Sequence, residues 1–194
     1  MPRYLAALTI VLMIGMVLTR AFVMKRHGTT AFHFGQIDKK DFIIPPFALF
    51  YVYIVFAAAF GWPLPSTEEF FRSQGVSWVG ILLCIAGLVL LLWGIVSFRQ
   101  SFRVGIDTTA PGKLITTGAF AISRNPIYVA FAFILIGLFL TFPNWILLAY
   151  LIAAVWLFNR QVVREETHMK AHYGPPYEAY CRQVRRYLVI AHPG

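Results

Sequence analysis

The sequence predicts an all-α membrane protein with five transmembrane helices, the last two folded as a helical hairpin. Three observations predict it. Hydrophobic residues make up 59% of the 194, and the mean hydropathy is +0.68. Charged residues make up 13%, about half of what a soluble domain carries. The apolar residues gather into long runs with no strand–helix alternation and no G-x-G-x-x-G, which excludes a soluble Rossmann-type enzyme.

The first run, Tyr4–Met24, is apolar except for Arg20, which lies near enough to an end to snorkel. No small-residue cleavage site follows it, so it reads as a retained anchor and not a signal peptide. Phe42–Trp62 carries no charge, and Pro45 and Pro46 fit a first helical turn. Trp78–Phe98 is also uncharged. Ile127–Phe158 is too long for one crossing and is interrupted by "TFPNW" at 141–145, where Pro143 and Asn144 signal a turn. Each half holds roughly 15 residues against the ~20 that a span needs, which predicts a tight hairpin. Beyond it, Asn159 to about His172 reads as a helix stopped by Gly174, Pro175 and Pro176. Pro176 can open a last helix with Tyr177, Tyr180, Val184 and Tyr187 on an apolar stripe.

No repeat or Gly/Ser linker divides the chain, so residues 1–194 read as one domain. Its first part (1–98) supplies three helices; its second (99–194) supplies a connector, the hairpin and the tail. With five spans, Arg3 and Arg72 fall on one side and all other Lys and Arg on the opposite one. The positive-inside rule then puts the N-terminus outside and the C-terminus in the cytoplasm. The net charge of +9 thus reports topology and anionic headgroups, and no basic run suggests nucleic acid. Cys84 and Cys181 lie at different depths, which argues against a disulfide.

Most polar residues fall in two stretches, "SFRQSFRVGIDTTAPGKLITTGAFAISRNPIY" (97–128) and "NRQVVREETHMKAHYGPPYEAY" (159–180). Arg160 and Arg164 are four apart and share a helix face, with Glu165 and Glu166 on neighbouring faces. Glu165, His168 and His172 have helical spacing, but a single E-x-x-H without ligands from other helices is no metal site. Asn125-Pro126 is a turn and helix start. Tyr177, Tyr180, Tyr187 and the five tryptophans fit packing or an interfacial aromatic belt.

"LITTGAFAISRNPIY" followed by "REETHMKAHYGPPYEAY" resembles the isoprenylcysteine carboxyl methyltransferase and phospholipid methyltransferase group. That group's pattern is a "LVTSGPY…RHPxY" connector, then "EExxLxxxFGxxYxxY" after a helical hairpin. The matching positions are Leu114, Thr116, Gly118, Arg124, Pro126 and Tyr128, then Glu165, Glu166, Gly174, Tyr177 and Tyr180. Asn125 stands where eukaryotic carboxyl methyltransferases carry histidine; it keeps a donor and an acceptor but does not titrate. The resemblance covers about the C-terminal half.

It implies an integral membrane enzyme using S-adenosylmethionine, with the cofactor site formed by the connector and the C-terminal helices. Cofactor contacts are expected from Lys113, Leu114, Ile115, Phe120, Asn125, Pro126, Tyr128 and Glu165. Arg160 and Arg164 are expected near the substrate, with Arg160 and Glu166 as candidate catalytic groups. The acceptor would be lipophilic, an isoprenylcysteine-like carboxylate above all, entering a monomeric enzyme sideways from the bilayer. A carboxylate is ionised near neutral pH and needs no base. A lipid amine needs one, with Glu166 or His168 as candidates. Two other readings stay open: an NADPH-dependent sterol-type reductase, which needs a site for the 2′-phosphate, and a non-catalytic membrane assembly factor. Arg124 also has a reading without catalysis, as the partner of a carboxylate or the brace of the connector.

Overall fold

A computed structural model describes residues 1–26, 44–62, 68–98 and 114–188, and the described residues contain helices and no strand. Six α-helices follow in order: α1 (Pro2–Arg26), α2 (Ile44–Phe60), α3 (Gln74–Ser97), α4 (Pro126–Thr141), α5 (Trp145–Tyr173) and α6 (Pro175–Gln183), with a 3-10 turn at Gly118–Ala121. Pro2–Val23, Gln74–Ser97 and Trp145–Tyr173 are long and apolar enough to cross a membrane. The 17 residues of α2 and the 16 of α4 are shorter, about 25 Å each at helical rise against the ~30 Å of a hydrocarbon core.

The hairpin breaks at 142–144. Asn144 caps α5, its side chain accepting from Leu147 N at 2.9 Å and its amide donating to Phe142 O at 3.1 Å. The hairpin is not two short halves, however. The second arm continues without interruption into the tail helix, so α5 is 29 residues long. The physical reason is that residues 146–173 contain neither Pro nor Gly, and nothing there stops a helix on leaving the apolar zone.

The centre of the bundle is the α3–α4 pair, where backbones touch. A Cβ added at Gly80 would lie 2.5 Å from Gly137 O, and one at Gly87 2.8 Å from Ala130 O. Gly94 continues the same row one heptad on, with Ile127 3.1 Å from its Cβ position. Small residues on facing helices permit this approach, which replaces the hydrophobic drive missing in lipid with close van der Waals packing. Around the pair, α1 contributes Ala6 and Ile10, α2 Ile54 and Val55, and α5 Leu147 and Tyr150 to one core.

The two ends of the bundle differ. At one end Glu69 pairs with Arg3 and Arg72, and Phe70 N donates to Pro143 O at 2.7 Å. The start of α1, the segment before α3 and the hairpin turn therefore share that end. The other end gathers Ser97, Arg124, Glu166 and α6.

Candidate functional site at the polar end of the bundle

The chain enters the site over the end of α3. Gly118 has φ of +65°, a conformation L side chains avoid, and its position faces Ser97. Ser97 Oγ then accepts from Ala119 N at 3.0 Å, so the 3-10 turn rests on the last turn of α3. Ser123, fully buried, accepts from Asn125 N at 3.0 Å. Pro126 follows at the start of α4, where its missing N–H costs nothing. This local geometry sets Arg124, Asn125 and Tyr128 in the first turn of α4 or just before it.

The extension of α5 brings the partners. Tyr128 OH donates to Glu165 Oε1 at 2.7 Å, and Gln161, one turn earlier on α5, donates to the same oxygen at 3.1 Å. No bond to Glu165 Oε2 is present among the described residues. Glu166 is held on both oxygens. Arg124 reaches them at 3.1 and 3.4 Å, Asn125 Nδ2 donates to Oε1 at 3.1 Å, and Arg186 Nε donates to Oε2 at 2.9 Å. The side chains of Arg124 and Glu166 are each only 12% exposed, so these charge-assisted bonds offset the desolvation of both groups.

The tail closes the arrangement. Gly174, at φ +57° and ψ −131°, is both the end of α5 and the start of α6. From α6, Tyr180 OH donates to Phe120 O at 2.7 Å, and Tyr177, Tyr180, Val184 and Phe120 bury together. Burial pushes the Tyr180 phenol up from its usual range, so it stays a donor. The helix ends at Gln183, and the following strap returns to the connector. Arg185 O accepts from Arg124 N at 3.0 Å, and Arg186 O accepts from Asn125 Nδ2 at 3.0 Å. Tyr187 departs from the expected stripe: it is exposed and donates to Asn159 Oδ1 at 2.8 Å.

The expected site residues fall into three groups. Asn125, Pro126, Tyr128, Glu165 and Glu166 come together as one cluster. Leu114, Ile115 and Phe120 lie beside it, packed on α6 with Phe98 against Phe120 at a ring distance of 4.4 Å. Arg160 and Arg164 are exposed on α5, with Arg160 over the Trp156 ring at 5.7 Å. Lys113 lies outside the described residues, as do Gly112 and most of the 99–126 connector. Two participants escaped the sequence reading. Gln161 stood one helical turn before Glu165, a spacing that signals a side-chain pair. Arg186 lies beyond both motifs, and no local pattern marks it.

The two sequence motifs thus interlock through Arg124–Glu166, Tyr128–Glu165 and Phe120–Tyr180. The class this defines is an integral membrane protein of apolar helices whose two polar motifs meet at one end of the bundle. Residues 76–176 match the family model described as phospholipid methyltransferase, and the chain belongs to that family. It is also similar to two rice proteins, from Oryza sativa subsp. indica and subsp. japonica, each named "Probable protein-S-isoprenylcysteine O-methyltransferase". Each is 28% identical over 112 residues, covering 56% of this chain and 59% of the relative. The chain therefore spans about three-fifths of the length of these curated relatives.

Proposed function

We propose that the protein transfers a methyl group from S-adenosylmethionine to the carboxylate of a lipophilic, isoprenylcysteine-like acceptor. The site faces the cytoplasm in a five-span, monomeric arrangement of one domain. Family membership and the rice relatives support the reaction class. The observation that carries the reading is the Tyr128–Glu165 pair. Both donors converge on Oε1, which among the described residues leaves Oε2 for the ammonium or ribose hydroxyls of the cofactor. The residues present therefore fit the group. Glu165 would hold its polar part, Tyr128 would cover it, and Asn125, Pro126, Leu114, Ile115 and Phe120 would complete the wall; Lys113, outside the described residues, is proposed as a further contact.

When bound, S-adenosylmethionine supplies a methyl group on a sulfonium, which a carboxylate takes by in-line displacement without any proton transfer. Positioning then does most of the catalysis. Arg160 and Arg164, exposed on the same helix as Glu165, are suited to hold an anionic acceptor where it arrives from the bilayer. The partners of Glu166 suit a positioning role rather than that of a base for an amine acceptor: its oxygens accept from two guanidinium groups and an amide, which ties the two motifs together.

The direct assay is methyl transfer to N-acetyl-S-farnesylcysteine and to its carboxamide by the purified chain. The account expects a base-labile methyl ester from the acid and no product from the amide. Transfer to a lipid amine with none to the acid would replace this reading with amine methylation. NADPH binding without S-adenosylmethionine binding would replace it with the reductase.

A further inference from the structure

A groove of about 350 Å³ runs between α1 and α3, apart from the site. Leu12, Gly15, Thr19 and Arg20 line it from α1, and Leu92 and Ile95 from α3. None of Asn125, Tyr128, Glu165 or Glu166 takes part. Its walls along α1 extend from Leu12 to Val23, roughly 16 Å at helical rise. That is about half of a ~30 Å hydrocarbon core, the depth of one leaflet.

Its polarity is uneven. The deep part is apolar. Arg20, half-buried, stands three residues from the shallow end, and Lys25 and Arg26 follow in the last turn of α1. A long guanidinium side chain at this height reaches the phosphate plane. A groove one leaflet deep, apolar below and cationic above, complements a single acyl chain under an anionic headgroup. We propose that this groove binds an anionic phospholipid, with a fatty chain along Leu12–Thr19 and its phosphate at Arg20. The ligand is a resident lipid that seals α1 against α3, distinct from the methyl acceptor.

The structure supplies a way to close the groove. A Cβ at Gly15 would meet nothing within 4 Å, so the side chain of Gly15→Leu starts in open space on the groove wall.

The test reconstitutes the full chain in nanodiscs of equimolar phosphatidylglycerol and phosphatidylcholine, then measures retained lipid by native mass spectrometry. The expected result is one tightly held phosphatidylglycerol, preferred about fivefold over phosphatidylcholine, as one well-placed arginine near the surface provides. Arg20→Gln should abolish the preference, and Gly15→Leu should release the lipid. Arg3→Gln, at the opposite end, should change neither. Thermal unfolding in the same nanodiscs checks that each variant is folded. Equal retention of both lipids by the wild type overturns the proposal, as does an undiminished preference in folded Arg20→Gln. Folded wild type holding no lipid overturns it too, and leaves the groove to a protein segment.

Discussion

Arg124, just before α4, and Glu166, deep in α5, form an ion pair at 3.1 Å that joins the two polar motifs of the chain. Asn125 and Arg186 complete the clamp on the same carboxylate. The pair is three-quarters or more shielded from water on both sides. Removing one partner therefore strands a charge.

Glu166→Ala should cost about 3 kcal/mol, since it leaves Arg124 buried without its carboxylate. Arg186→Ala should cost less, about 1 kcal/mol, because that side chain is 42% exposed. Unfolding in detergent followed by circular dichroism checks both. A double-mutant cycle of Arg124→Ala with Glu166→Ala should show strong coupling, and simple additivity would contradict the clamp.

Tyr180→Phe removes the bond to Phe120 O and should cost about 1 kcal/mol. It should also change the pH profile. The folded phenol titrates above its unfolded value, so its contribution is fully present below the unfolded pKa of about 10. Above that pH the unfolded state loses the proton first, and stability falls as pH rises. The variant should show a shallower alkaline decline than the wild type in melting curves from pH 7 to 11.

Two glycine substitutions with the same helix propensity change should diverge. Gly80→Ala drives a methyl to 2.5 Å from the Gly137 carbonyl and should destabilise by about 1–3 kcal/mol. Gly15→Ala meets nothing and should be neutral or slightly stabilising. Equal melting temperatures would show that the α3–α4 approach is not a tight contact.

Much of this was legible because membrane helices announce themselves by composition. The runs 4–24, 42–62 and 78–98 match α1, α2 and α3 closely, and "TFPNW" marks a break that Asn144 enforces by capping. The cluster of Asn125, Tyr128, Glu165 and Glu166 was legible through motif order. Three things were not read. Gly80, Gly87 and Gly94 repeat every seven residues, a visible signal of close helix approach that hydropathy alone passes over. The continuity of α5 was hidden because the change from apolar to polar looks like a boundary, although no residue there breaks a helix. Arg186 was invisible because its role depends on a strap returning over the connector, and long-range pairing leaves no local pattern.

The central claim is that Glu165, aimed by Tyr128 and Gln161, holds S-adenosylmethionine. Calorimetric titration of the detergent-purified chain with S-adenosylhomocysteine tests it most directly. The account predicts roughly micromolar binding by the wild type. Tyr128→Phe should weaken it about threefold to tenfold, the worth of one hydrogen bond to a charged group. Glu165→Ala, still folded by circular dichroism, should abolish it. Binding that survives intact in folded Glu165→Ala, or that is absent from folded wild type, would contradict the account.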